Sequence, residues 1–215
     1  MKNGKRSRKP IVIQWKDLPL SYRREVAATK QTRARLCKNP PTENQLDDIY
    51  TDWALLGAGF YKLKKRPPPD LEKCIIQTAF WGRFDARILF GCIQWIINNG
   101  DLIDINRLIS MIPKDDSAVL GGMLDLALEK GADKHLKRVM KNCKPYKKKE
   151  FLYNTYAEHP GLISLLKIIT WSLPLWRRWG IYNRSSDFPR IWYNRKYVLE
   201  NNPELARRDK EKKKK

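Results

Sequence analysis

Ligand-forming and nucleophilic side chains are scarce in this sequence, and their spacing excludes most metal and disulfide chemistry. There are two histidines, His135 and His159, and four cysteines, Cys37, Cys74, Cys92 and Cys143. The cysteines are spaced by 37, 18 and 51 residues, so no Cys-x-x-Cys or Cys/His cluster arises, and neither a zinc site nor a disulfide framework is indicated. Three of the four stand at apolar helix positions, where a free thiol behaves as a small hydrophobe, and a reduced intracellular setting is expected. Long apolar runs are missing too. No stretch of 18 apolar residues exists, which excludes a transmembrane helix. The opening Met-Lys-Asn-Gly-Lys-Arg-Ser-Arg-Lys-Pro has no apolar core of the kind a signal peptide needs. The cytoplasm is the expected location, or the nucleus in a eukaryote, because Lys-Arg-Ser-Arg-Lys passes as an import signal.

Acids are the other shortage. Against 44 lysines and arginines stand 23 aspartates and glutamates, a net charge of +21 over 215 residues. The imbalance is uneven. Residues 84–133 hold 8 acids and 4 bases, residues 1–38 hold 12 bases and 2 acids, 134–149 hold 8 bases and no acid, and 150–215 hold 14 bases and 7 acids. Positive charge is therefore added around an ordinary helical body, and a function has to account for that segregation.

The body is legible as four short helices between Phe84 and Cys143. Asp85 caps a helix from Ala86 to Asn99, with Gly100 following as its C-terminal glycine, and Ile88, Leu89, Cys92, Ile93, Trp95, Ile96 and Ile97 cover more than one stripe and predict burial on two sides. A second helix, near Ile105 to Ile112, stops at Pro113. A third follows Asp115-Asp116-Ser117 and ends before Gly131; Asp133 is expected to cap a fourth, apolar only at Leu136, Val139, Met140 and Cys143. Upstream, Thr42-x-x-Gln45 is a capping box for a helix presenting Leu46, Ile49, Tyr50, Trp53, Leu56 and Phe60. Asp70, after Pro67-Pro68-Pro69, caps another that ends at Gly82. Downstream, Phe151 to Ala157 reads as a short helical turn and Pro160 to Leu175 as the last core helix. The expected fold is all-α, a multi-helix orthogonal or solenoid-like bundle with basic, disordered termini. It divides into a basic N-terminal arm and helix (1–38), a helical core (39–182), and a basic aromatic segment with a lysine-rich tail (183–215). Ile96-Ile-Asn-Asn-Gly100 and Leu128-Glu-Lys-Gly-Ala-Asp133 are similar to the ends of ankyrin repeats, but the Thr-Pro-Leu-His-type turn between them is missing, and two helices ending in glycine account for the likeness.

Catalytic constellations do not assemble from these residues. Neither histidine lies at the Arg-x4–6-His spacing of small helical ribonucleases; His135 sits in a lysine-rich helix and His159 precedes Pro160, so both read as surface residues. Leu-Leu-Gly-Ala-Gly-Phe (55–60) lacks the Gly-Lys-Ser/Thr of a phosphate loop and reads as a helix end. Pro69-Asp70-x-Glu72-Lys73 resembles a nuclease pattern only superficially, since adjacent Glu72 and Lys73 point apart and Asp70 serves as a cap. Asp101/Asp104 and Asp115/Asp116 stand at helix starts, where acids favour the macrodipole. With no nucleophile–base pair and no metal triad, neither enzymatic activity nor a cofactor is expected.

Basic and aromatic segments carry the functional reading. Cations that neutralise phosphates release condensed counterions, and aromatic rings that stack on exposed bases add roughly 1–3 kcal/mol each. The expectation is a non-enzymatic protein that binds nucleic acid, DNA or RNA, through phosphate contacts and stacking. The residues expected to carry it are Arg23, Arg24, Arg33 and Arg35 on the N-terminal helix, Lys137, Lys141, Lys147 and Lys148 in the acid-free stretch, and Arg177, Arg178, Trp179, Arg184 and Arg195 where aromatics alternate with arginines. Two other readings compete. One is a structural subunit of a larger (ribonucleo)protein assembly, with a protein partner. The other is a peripheral membrane protein anchored by residues 160–179, where tryptophans and arginines flank an apolar run.

The run from Asp85 through Gly131, with Leu-Pro-Leu-Trp-Arg-Arg-Trp-Gly (173–180) and Glu-Asn-Asn-Pro-Glu-Leu (200–205), resembles the helical module of bacterial DNA-binding regulators associated with nucleotidyltransferase toxins. It covers about half the chain and contains no diagnostic motif. The resemblance implies DNA binding in a defence or toxin–antitoxin setting. Such regulators would continue into a winged helix, whereas this chain runs into lysines.

Overall fold

Thr42 opens the described fold with the capping box its sequence predicts. Its Oγ1 accepts from the Gln45 N–H at 3.3 Å while the Gln45 carboxamide oxygen accepts from the Thr42 N–H at 2.9 Å, satisfying two otherwise orphaned donors. The structure, a computed structural model, describes residues 41–60, 64–147, 150–151, 172–182 and 195–214. Its helices are α1 (Glu43–Leu55), α2 (Leu71–Trp81), α3 (Ala86–Asn99), α4 (Ile105–Ser110), α5 (Ala118–Glu129), α6 (Leu136–Met140), α7 (Pro174–Arg178), α8 (Arg195–Asn201) and α9 (Pro203–Lys212), with a 3₁₀ turn at Gly100–Leu102. The protein is all-α; two residue pairs, Glu150–Phe151 (β1) and Ile181–Tyr182 (β2), add a short parallel pairing. No described helix is long and apolar enough to cross a membrane.

Side-chain caps fix where helices begin. Asp70, Asp85 and Asp104 each accept from backbone N–H groups of the first turn of α2, α3 and α4, as the sequence predicts for Asp70 and Asp85. α1 stops at Leu55, short of Phe60, because Gly57 turns the chain with φ 78°. The fourth helix of the body starts later than expected. Asp133 accepts from the His135 N–H at 2.9 Å within a turn, and α6 begins at Leu136. Asp116 does not serve a helix start either; it takes the Arg83 guanidinium at 2.8 Å and the Tyr146 hydroxyl.

α5 is the central element, packed on α2, α3, α6 and α7. Nine of its residues, from Ala118 to Ala127, are buried. Two glycines in its middle form sockets. A Cβ on Gly122 would lie 2.4 Å from Trp176 Cζ3, and one on Gly121 would lie 2.1 Å from Trp179 Cζ3, so each indole lies directly on helix backbone. Across the core, Trp53 donates to Thr78 Oγ1 and Trp95 to the Leu56 carbonyl, both at 2.7 Å, so these buried rings leave no polar atom stranded. Cys74, Cys92 and Cys143 are free and buried, as expected of small hydrophobes.

Three sequence expectations are corrected at the C-terminal side. Leu173 is extended and a helix starts at Pro174, so a single helix does not continue to Leu175; a residue before proline is pushed out of the helical region. Residues 160–171 lie outside the described residues. Phe151 is paired as strand with Tyr182 rather than starting a helical turn. Most consequential, the tail is helical as far as Lys212. α9 spans Pro203–Lys212, capped by Asn202, and packs with α8 against the body, with Val198 and Leu205 inside the same core as α2–α5. Ion pairs dock α8 and α9. Arg208 contacts Glu72 at 2.6 Å and the Leu102 carbonyl at 3.0 Å, and Arg195 joins Asp101 and Asp209, each at 2.7 Å.

Candidate nucleic-acid interface

α6 is short, and its two faces have opposite characters. Leu136 and Val139 are fully buried and Cys143 nearly so, which fixes the rotation of the segment. Lys134, Lys137, Arg138 and Lys141, at i, i+3, i+4 and i+7, then share the outer face, and all four are exposed. His135 and Lys141, on either side of the helix, keep right-handed helical backbone. The cation stripe thus runs over roughly 10 Å at 1.5 Å rise per residue.

Beside the stripe lies a cleft of about 390 Å³ lined by Ile105, Asn106, Lys134, His135, Lys137, Arg138 and Lys141. α4 forms the opposite wall, held in place where the Asp104 N–H donates to buried Glu72 Oε1 at 2.8 Å. Five lining groups are basic and none is acidic. The four cations make no ion pair with any described acid, whereas Arg66, Arg83, Arg87, Arg107, Arg178, Arg195, Arg207 and Arg208 are all paired with carboxylates. An unneutralised cluster concentrates positive potential at a concave surface, which attracts and holds a polyanion.

The residues singled out in the sequence are sorted by this geometry. Lys137 and Lys141 meet in the cleft, joined by Lys134, Arg138 and His135, which the sequence reading did not select. Their one-face spacing was the available signal. Lys147 is exposed one residue past Tyr146, whose N–H donates to the Trp179 carbonyl at 3.1 Å and so ties that segment to the end of α7. Arg177 and Arg178 are exposed there, and Arg178 pairs with Asp125 at 3.1 Å.

Two of the singled-out residues are engaged within the fold. Trp179 is only 9% exposed; its ring fills the Gly121 socket and its Nε1 donates to Asp125 at 2.9 Å, so it is a core residue and offers no stacking face. Arg195 is engaged in docking α8 and α9, with its guanidinium between two carboxylates, and is no free phosphate contact. Arg23, Arg24, Arg33, Arg35, Lys148 and Arg184 lie outside the described residues.

The described residues include no group of three or more His, Cys, Asp or Glu able to hold a metal ion. Burial pushes the Cys74 and Cys92 thiols well above their ordinary range and Cys143 up to about 12, so these sulfurs stay protonated at neutral pH. No family model, curated protein or solved structure matches the chain.

Proposed function

We propose that the protein is a non-enzymatic nucleic-acid-binding protein that contacts the phosphate backbone through the α6 cation stripe. The observation that carries this reading is the division of labour among the cations. The arginines named above are paired with carboxylates, some buried and some at the surface, while Lys134, Lys137, Arg138 and Lys141 face solvent beside a cleft with no described acid to neutralise them. Phosphates recruited there release counterions, so binding should be steeply salt-dependent. Lys144 and Lys147 extend the exposed positive surface toward α7. The bacterial regulators that the sequence resembles would set this activity in defence or toxin–antitoxin biology.

The test is fluorescence anisotropy with labelled DNA and RNA across a salt series. Each phosphate contact contributes about 0.7–0.9 to the slope of log K against log salt. Changing Lys134, Lys137, Arg138 and Lys141 together to glutamine is expected to flatten that slope by about 3, with the melting transition unchanged because all four are exposed. An unchanged slope would place the binding elsewhere on the chain.

A further inference from the structure

We infer that the cleft between α4 and α6 seats one unstacked nucleobase of a single-stranded nucleic acid, with the surrounding cations holding the adjoining phosphates. The inference rests on the nucleic-acid reading above and adds to it the form of the ligand.

Phosphate binding alone needs only cations. This cleft also carries three groups of different chemistry, the half-buried aliphatic Ile105, the carboxamide of Asn106 and the imidazole of His135. Together they match what a base presents. A flat ring stacks on an imidazole, an amide pairs with the donor and acceptor edge of a base, and an aliphatic side chain covers apolar ring surface. Neither the Asn106 amide nor the His135 ring has a hydrogen bond or ion pair among the described residues, so both are available.

The walls are also set in place before any ligand arrives. Ile105 and Asn106 open α4 directly after Asp104, which caps that helix through the Arg107 N–H at 3.0 Å and anchors to Glu72 through its own N–H. His135 is held by the hydrogen bond from its N–H to Asp133 Oδ1 at 2.9 Å. A volume of about 390 Å³ lies within the range of small-ligand pockets, about 300–1,000 Å³, and accommodates one base. Lys134 and Arg138, and Lys137 and Lys141, form two pairs one helical turn apart along the same wall, so phosphates on either side of a seated base meet cations. A base inside a duplex cannot enter without unpairing and unstacking, which costs a few kcal/mol, so the cleft selects single strands.

The experiment compares a labelled single-stranded RNA, a single-stranded DNA and the duplex of the same sequence, each titrated with the full-length protein. The variants are Asn106→Ala, His135→Ala, the double variant, and Lys137→Gln/Lys141→Gln. The alanine double variant is expected to weaken single-strand binding about tenfold, the scale of losing one stacked base, and duplex binding less than about twofold. The lysine variant is expected to weaken all three ligands. Equal losses on single strand and duplex, or no loss on either, for Asn106→Ala/His135→Ala would overturn the base seat while leaving the phosphate reading intact. Loss of nothing with the lysine variant would overturn the phosphate reading of this face, and the base seat with it. Both altered side chains of the alanine variants are exposed, and an unchanged thermal transition confirms that the fold is not what is being measured.

Discussion

Trp176→Ala is expected to lower the stability of the fold by about 3–5 kcal/mol, the range for deleting a fully buried large aromatic side chain. Trp176 is completely buried, and its Nε1 has no hydrogen-bond partner among the described residues, so the loss is one of packing. The complementary change is Gly122→Ala. Alanine is better than glycine within a helix by about 1 kcal/mol, so propensity alone predicts a gain. The new methyl would stand 2.4 Å from Trp176 Cζ3 and 2.7 Å from Cε3, in a ring that cannot bend away. Overpacking of that kind costs about 1–3 kcal/mol, and the net effect is expected to be destabilising. In the double variant the methyl enters space the indole has left. Urea unfolding should therefore show a double-variant cost smaller than the sum of the singles by more than about 0.5 kcal/mol. Strict additivity, or a stabilising Gly122→Ala, would mean that the ring does not rest on the helix at that point.

The Gly-Gly pair also marks the limit of what the amino-acid sequence discloses. The apolar run around it makes α5 legible as a helix, and the capping residues Thr42, Asp70, Asp85 and Asp104 announce where α1 to α4 begin, because a cap is a local interaction between residues two or three apart. What a glycine in mid-helix receives is a long-range matter. Trp176 and Trp179 come from more than fifty residues away, and nothing near Gly121 predicts them. The same gap separates the two uses of tryptophan and arginine in the last third of the chain. Alternating aromatic and basic residues at 176–179 carry the composition of a nucleic-acid surface, yet both rings there are buried and Arg178 is paired with Asp125. The α6 stripe was half legible. Its acid-free stretch stood out, but recognising the cleft required α4, which the fold brings across from some thirty residues upstream.

The tail escaped for a related reason, and it supplies the second large effect. Arg208→Ala is expected to destabilise the protein by about 3–5 kcal/mol, because it leaves buried Glu72 with Arg107 Nε at 3.8 Å as its remaining cation, and Glu72→Gln by about 3 kcal/mol or less, because Arg208 keeps Glu204 at 2.6 Å. Glu72 is fully buried. Its carboxylate takes Arg208 Nη1 at 2.6 Å and the Asp104 N–H at 2.8 Å, and the Arg208 side chain is 13% exposed. α9 is strongly polar, with Leu205 as its buried apolar anchor, so a helix of ten residues on its own would be marginal and depends on that docking. Glu72→Gln/Arg208→Met separates the pair from its packing. The amide keeps an acceptor for the Asp104 N–H and the thioether fills much of the arginine's volume, so most of the lost stability should return. A double variant as unstable as Arg208→Ala would show that charge attraction, rather than removal of an unpaired charge, dominates.

Acid acts on the neighbouring contacts of the same hairpin. The hydrogen bond from Arg195 holds the Asp101 carboxyl below the ordinary aspartate value, and Lys213 followed by Arg195 does the same for Asp209. Folded values depressed in this way stabilise the docked state above the unfolded value, about 3.9 for aspartate, and that contribution disappears as pH falls through the lowered values. Hydrogen exchange of amides 195–212 should therefore quicken below about pH 4 in the wild type after correction for intrinsic exchange rates. In Glu72→Gln the same amides should already exchange faster at neutral pH, where both aspartates remain charged. Protection lost in one stretch while α5 stays protected would identify the α8–α9 pair as a unit that undocks before the core opens; loss throughout would make it part of one cooperative fold.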